Sequence, residues 1–479
     1  MPKPLHADTL KRTLNGNMTE RYVLLPPEAD SIAQIFTRGE FYGRIRIHGF
    51  GYVWGDELVS NGKVVRKDHA IVGVGGSFIY KTASFRGFSA TAGLYSTTGI
   101  GTLSPEEAYL YKGGKDTFNR YNYVRYGKKT LTTLAQAYLE YRHAYVDVKA
   151  GRQIFESFLT ASNDTKMIPN TFSGYSAEVK TGRSGTLKFG YLTRQKLRDH
   201  DTFHHLLAYG YDGNDPLSAW TQNDDSAMHR GLTLQKLRER GIKDRMYVAE
   251  LKSKPLRDMS VWLNYTALPD LLSYAMVQAG YSWHVSGLDV TPAVRYMRQF
   301  DDGAGEIGGA NLKTVTEGYR DPDSLEGWLV GARIDVKSAI WRLRAAYTKI
   351  GDKGDIVAPW RGFPTGGFTR VMGQYNWNAD TETYVLQYDY DLDKAGAVSG
   401  LKAMVRVAVQ DFDDTKPGVQ ADSNVFELGL REDFASIPGA LVRLRWAHIV
   451  GDDDTVTPSG VHKLDPSADV VRLEFDYLF

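Results

Sequence analysis

The chain has 479 residues and a formal net charge of +1, so no excess of charge points to nucleic acid. It contains no cysteine, which excludes disulfides, thiolate metal sites and a cysteine nucleophile. No apolar run reaches the roughly 18 residues of a transmembrane helix, yet a membrane-spanning β-barrel stays open, because its alternating strands average to a soluble-looking hydropathy.

Residues 1–40 begin "MPKPLHADTLKRTL" and lack the apolar core of a secretion signal. They are expected to be a short periplasmic leader on a mature, exported chain, too small for a folded plug. From residue 41 to residue 479 a single barrel is expected. Apolar and polar residues alternate in about eighteen stretches. They lie near 41–53, 69–80, 85–95, 132–143, 145–152, 173–181, 185–194, 244–252, 258–266, 273–285, 287–297, 326–337, 338–349, 380–391, 399–411, 423–432, 440–450 and 468–479. Successive side chains of a strand point to opposite faces, so each stretch carries one apolar and one polar face. Most are about 10–12 residues long, enough for a tilted strand to cross a bilayer.

The connections alternate between short and long. Residues 182–184, 253–257 and 433–439 are brief, whereas 96–131, 195–243, 298–325 and 350–379 run to tens of residues; 267–272 is the exception on the long side. Long loops on one end and tight turns on the other are the layout of an outer-membrane barrel. Trp328, Trp341, Trp446, Tyr347, Tyr390 and Tyr477 are assigned to aromatic girdles at the two membrane interfaces. The reading is an all-β, eighteen-stranded antiparallel transmembrane barrel in a bacterial outer membrane. The last stretch, "VVRLEFDYLF", would pair with the first, leaving no open edge in lipid. Its terminal aromatic also resembles the signal read by the barrel-assembly machinery.

The polar faces carry a basic series. Arg44 and Arg46 lie on the first strand, and Arg333, Arg342, Arg344, Lys402, Arg406, Arg431, Arg443, Arg445 and Arg472 on the last seven. On the lipid face each would cost about 2–4 kcal/mol at the midplane, so they must face the lumen. Once first and last strands pair, they occupy one arc of the wall. Two readings follow. They form a track for anions, since the planar guanidinium fork suits carboxylates. Or they are the ordinary polar lining, paired with acids such as Glu427 and Glu474.

"AYLEY", "KAGRQ" and "NDTKMIPNTF" (Ala137–Tyr141, Lys149–Gln153 and Asn163–Phe172) resemble the OprD family of outer-membrane porins, found in pseudomonads and in related porins of epsilon-class proteobacteria. Ala137, Tyr138, Leu139, Tyr141, Lys149, Gly151, Arg152, Gln153, Asp164, Pro169, Asn170, Thr171 and Phe172 match; Lys166 stands where the family has Arg, and Ser173 where it often has Glu. The resemblance implies passive uptake of small hydrophilic, often carboxylate-bearing solutes. It implies a loop after the fifth strand, about 153–172, folded into the lumen, with Asp164, Lys166 and Asn170 in the constriction. There Asp164 and Lys166 either face the ladder across the pore or tie the loop to the wall.

Other features are weaker. The Asp411, Asp413, Asp414 and Asp452–Asp454 clusters in external loops could bind divalent cations with lipopolysaccharide, or be solvated loop. "HDTFHH", with His200, His204 and His205, could hold a metal, but no hydrolase or nucleotide motif accompanies it. No cofactor or metal is expected. Expected partners are outer-membrane lipids and lipopolysaccharide, small hydrophilic solutes and the assembly machinery, with a homotrimer one assembly open to the chain. An adhesin or a barrel enzyme working through external loops is the competing function.

Overall fold

The computed structural model describes residues 26–60, 62–182, 185–209 and 227–479, and the backbone of Arg12–Leu14 and Glu20–Tyr22. Eighteen antiparallel strands close into one barrel. They are β1 (Glu40–Trp54), β2 (His69–Lys81), β3 (Phe88–Gly101), β4 (Thr130–His143), β5 (Val146–Gln153) and β6 (Thr171–Lys180). Then follow β7 (Gly185–Lys196), β8 (Met246–Ser253), β9 (Met259–Leu268), β10 (Leu272–Tyr281, continued by Trp283–Val285), β11 (Leu288–Asp301) and β12 (Gly327–Lys337). The last six are β13 (Trp341–Ile350), β14 (Glu382–Asp391), β15 (Leu401–Asp411), β16 (Ser423–Asp433), β17 (Ala440–Gly451) and β18 (Ala468–Leu478). All eighteen alternating stretches are strands. β18 pairs with β1, from Ala468 opposite Trp54 to Leu478 opposite Arg44, so the sheet has no edge.

Alternation fixes which face is which. On β15, Val405, Val407 and Val409 are exposed on the outside, while Ala408 and Gln410 are buried within. The same holds on β1, where Ile45, Ile47 and Val53 face out and Arg44, Arg46 and His48 face in. A contiguous outer band this apolar would be an aggregation liability in water, and is the solvated surface in lipid. Aromatic rings gather on it: Phe41 with Phe78 and Tyr80, Trp341 with Tyr388, and Tyr175 with Tyr191 and Tyr247.

The core lies inside the ring. Lumen residues of β6 to β13, among them Phe172, Leu192, Met246, Tyr274, Met297 and Leu329, pack against loop residues Phe158, Leu159, Leu206, Leu232, Ile356, Trp360 and Trp377. The long loops therefore turn inward and fill that half of the barrel. Glycines make room for them. A Cβ on Gly73 of β2 would stand 2.9 Å from Thr117 and 3.0 Å from Met167, and one on Gly99 of β3 would stand 2.7 Å from Phe118. Gly73 belongs to the Gly-rich "GVGGSF" stretch, whose Gly75 and Gly76 lie against the backbone of Ser96 and Arg44 on the neighbouring strands.

Most of the leader expected over 1–40 lies outside the described residues. Its described end carries the helix Ile32–Thr37, capped by the Ser31 hydroxyl. The helix docks at the short-turn end, where the Tyr80 hydroxyl donates to Phe36 O at 2.6 Å and Ala83 N–H donates to Ile35 O at 3.0 Å.

Candidate solute pathway

The loop after β5 leaves the wall at Gln153 and crosses the lumen. At its tip the Asp164 carboxylate accepts from Arg44 and Arg46 of β1, and Arg46 Nη2 also donates to Asp164 O at 3.1 Å. Lys166 lies with its Nζ 4.1 Å from the Phe50 ring centroid, on the same wall. Asn170 is buried near the loop's return, its Nδ2 donating to Ala161 O at 2.9 Å and its Oδ1 accepting from Gln195 at 3.0 Å. The loop is thus inside the barrel, with its tip bonded to the wall at β1.

A second long loop, 351–381, folds in to meet it. Ala161 N–H donates to Trp360 O at 3.0 Å, and Gly362 N–H to Leu159 O at 2.9 Å. Wall arginines hold this loop by its carbonyls. Arg295 Nη1 donates to Pro364 O at 2.7 Å and Gly366 O at 2.9 Å, while Arg333 and Arg344 donate to Gly367 O at 2.5 Å and 3.0 Å. Arg333 and Arg344 share the carboxylate of Asp335 as well.

Beside the joined loops, along β13 to β18, lies an open cavity of about 760 Å³. Fifteen Lys or Arg and four Asp or Glu line it. Of the basic series read from the sequence, Arg342, Lys402, Arg406, Arg431, Arg443, Arg445 and Arg472 are on this wall. Arg44, Arg46, Arg333 and Arg344 are not among its lining residues; they bond the inward loops instead. Carboxylates accompany most of the wall cations. Arg342 pairs with Asp389 at 2.7 Å, Arg406 with Glu427 at 2.8 Å, and Arg431 with Asp433 at 2.7 Å. Arg445 bonds Glu474, which Arg443 approaches at 3.7 Å. Among the described residues, no carboxylate lies within ion-pair distance of Lys402 or Arg472.

Further cations from loops line the cavity, and the sequence reading does not assign them. Arg198 pairs with Asp116 at 2.6 Å. Lys115, Arg361 and Arg370 also line the cavity, and the Arg370 guanidinium stands 4.8 Å from the Phe363 ring and 5.0 Å from that of Tyr375. Burial, and then the charge of nearby Arg472, lower the pKa of Lys166 well below its ordinary range. The available signal was the apolar run "DIVAPWRGF": a solvated loop has no use for Ile356, Val357 and Trp360 together.

Two groupings of metal-ligand side chains bear on the metal readings. Among the described residues His48, Glu474 and Asp476 hold ligand-type atoms within 4.8 Å of one another. Arg46 already donates to Asp476 at 2.5 Å, and Arg445 to Glu474, so guanidiniums supply the countercharge a cation would bring. In the loop after β7, His204 Nδ1 meets His205 O at 2.6 Å and His205 Nδ1 meets Asp244 at 2.9 Å. Burial lowers the pKa of His204 to about 4. These imidazoles knit the loop together.

The sequence profile described as outer membrane porin, OprD family, matches residues 126–477. No curated protein matches the chain by sequence. Among solved structures, OpdK of Pseudomonas aeruginosa superposes with a TM-score of 0.64 at 15% identity, over 92% of this chain and 99% of that one. OpdQ of the same organism gives 0.65 at 14%, over 93% and 99%. OccAB3 of Acinetobacter baumannii gives 0.65 at 14%, over 92% and 99%. At such identities the solved structures speak for the fold, and the profile, spanning well over half the chain, speaks for descent. The chain belongs to the OprD family of outer-membrane porins, barrel channels through which small solutes enter across the bacterial outer membrane.

Proposed function

We propose that this porin favours anionic, carboxylate-bearing solutes, and that Arg342, Lys402, Arg406, Arg431, Arg443, Arg445 and Arg472 form the track along which they pass. The excess of basic over acidic side chains around the cavity carries the reading. Lys402 and Arg472 offer charge that no carboxylate of the described residues occupies. The paired arginines can exchange a wall carboxylate for a passing one, so an anion meets several weak sites and no deep trap. OpdK, a structural neighbour, has been crystallised with vanillate, itself a carboxylate. Asp164, Lys166 and Asn170 act in this reading as the constriction: Asp164 and Asn170 fix the loop, and Lys166 stands beside the track.

The test is reconstitution in planar bilayers under a salt gradient. Discrete conductance steps and a reversal potential of anion-selective sign are expected. Replacing Lys402 and Arg472 together by Gln should move that potential towards zero with the conductance steps retained. An unchanged potential would reject the track.

A further inference from the structure

The "KAGRQ" arginine, Arg152, does not enter the lumen. It sits on β5 opposite Ala137 of β4 and Ser173 of β6, in the register that places Leu139 and Tyr175 on the lipid side. Arg194 of β7 pairs with the other side of the same Ser173, and so shares that face. Arg245, just before β8, donates to the Tyr191 hydroxyl at 2.6 Å from the outer surface. All three side chains are exposed. Arg152, Arg194 and Arg245 therefore form a basic row on the outside of the barrel.

Its height is set by strand length. Arg152 is the seventh residue of β5, Arg194 the tenth of β7, and Arg245 lies eight residues from the end of β8. At about 3.3 Å per residue and a tilt of roughly 35–45°, they stand about 15–25 Å above the short turns. That is within side-chain reach of the outer edge of an apolar band about 25 Å tall. The adjoining rings of Tyr175, Tyr191 and Tyr247 lie just below. An arginine there costs little, since the lipid-face penalty falls to about 0–1 kcal/mol near the interface.

The row differs from other outward cations near the long-loop end. Arg298 has Glu326 at 2.8 Å, Lys349 has Glu382 at 2.7 Å, and His448 has Asp469 at 3.1 Å. Among the described residues, no carboxylate lies within ion-pair distance of Arg152, Arg194 or Arg245. Arg152 has only the Phe203 ring, 4.8 Å away, and a long contact of 3.4 Å to Leu134 O. We propose that this row binds the phosphorylated headgroup of an outer-leaflet glycolipid. Guanidiniums are suited to bidentate contact with phosphate, and the tyrosine rings beneath offer a surface for the acyl chains. A second copy of the chain fits less well, because the outward acids Glu326, Glu382 and Asp469 are already engaged by Arg298, Lys349 and His448.

The experiment is native mass spectrometry of the full chain in detergent, titrated with diphosphoryl lipid A, the same glycolipid with its phosphates removed, and inorganic phosphate. Diphosphoryl lipid A is expected to remain bound, the phosphate-free glycolipid to bind at least about tenfold more weakly, and inorganic phosphate not to compete at equal concentration. R194Q/R245Q should weaken lipid A binding at least about tenfold, while K349Q leaves it unchanged. R152Q is a second variant; because Arg152 also caps the β4 edge, R194Q/R245Q decides the matter if R152Q fails to fold. Conductance steps of wild-type size would show that the variant barrels are intact. Equal binding of the phosphate-free glycolipid, full competition by inorganic phosphate, or wild-type binding by R194Q/R245Q would overturn the proposal. So would a change in oligomer mass on mutating the row, which would assign the face to a second copy.

Discussion

Lumen arginines that look alike in the sequence divide by what their donors meet. Arg295 gives its Nη1 to two loop carbonyls and its Nε and Nη2 to Gln278 Oε1. It is a bolt for the inward loop. Arg295→Met should leave Pro364 O and Gly366 O without a donor, at a cost of about 1–3 kcal/mol per buried group. Larger, noisier single-channel currents are expected, and quiet wild-type traces would refute the role. Asp199, in the loop after β7, is a second residue with a definite consequence. Burial, and then the charge of Asp116, raise its pKa to about 6. A carboxyl raised by folding is penalised when ionised, so the penalty is absent below about pH 4, grows between about pH 4 and 6 and is constant above that. D199N should therefore gain thermal stability over wild type at about pH 7.5 but not at about pH 3. A pH-independent difference would contradict this.

At the scale of the element, strands and loops differ in how much they declare. Every strand was legible because a two-residue period with one lipid-facing side leaves a strong alternation, as in Val405, Val407 and Val409. The loops follow no period. Nothing local says that Asp164 travels to Arg44 and Arg46, which lie more than a hundred residues earlier, and the pairing is a product of tertiary packing. So Arg44 and Arg46 read as ladder rungs by parity alone, and only the folded chain shows which carboxylate they hold. The β2 glycines are partly legible in hindsight: Gly73 is small because Thr117 and Met167 lie against it. Gly73→Ile should push that contact apart, costing about 1–3 kcal/mol and shifting the conductance level. Unaltered conductance would mean the loop yields without consequence. At the seam, Gly43 and Phe479 exchange backbone hydrogen bonds at 3.1 Å in each direction.

For the whole molecule, the division of the lumen matters most. Loops and core occupy the side of β6 to β13, and the cavity runs along β13 to β18 with its basic wall. A solute is thus offered one charged wall and one loop-built wall. If selectivity comes from the field of that wall, it should fade as salt rises from about 0.1 M to 1 M and the screening length shrinks from about 10 Å to 3 Å. Reversal potentials at both ionic strengths decide this, and selectivity fully kept at high salt would sink the field account.

The two inward loops are bonded to each other, one ending on β1 and the other on β11 to β13, nearly across the ring. Mechanically that is a strut inside a thin hoop. Unbraced hoops flatten into ovals under side load, and a bilayer presses on its proteins laterally. Such a strut resists flattening, so the channel's conductance is expected to be indifferent to membrane tension.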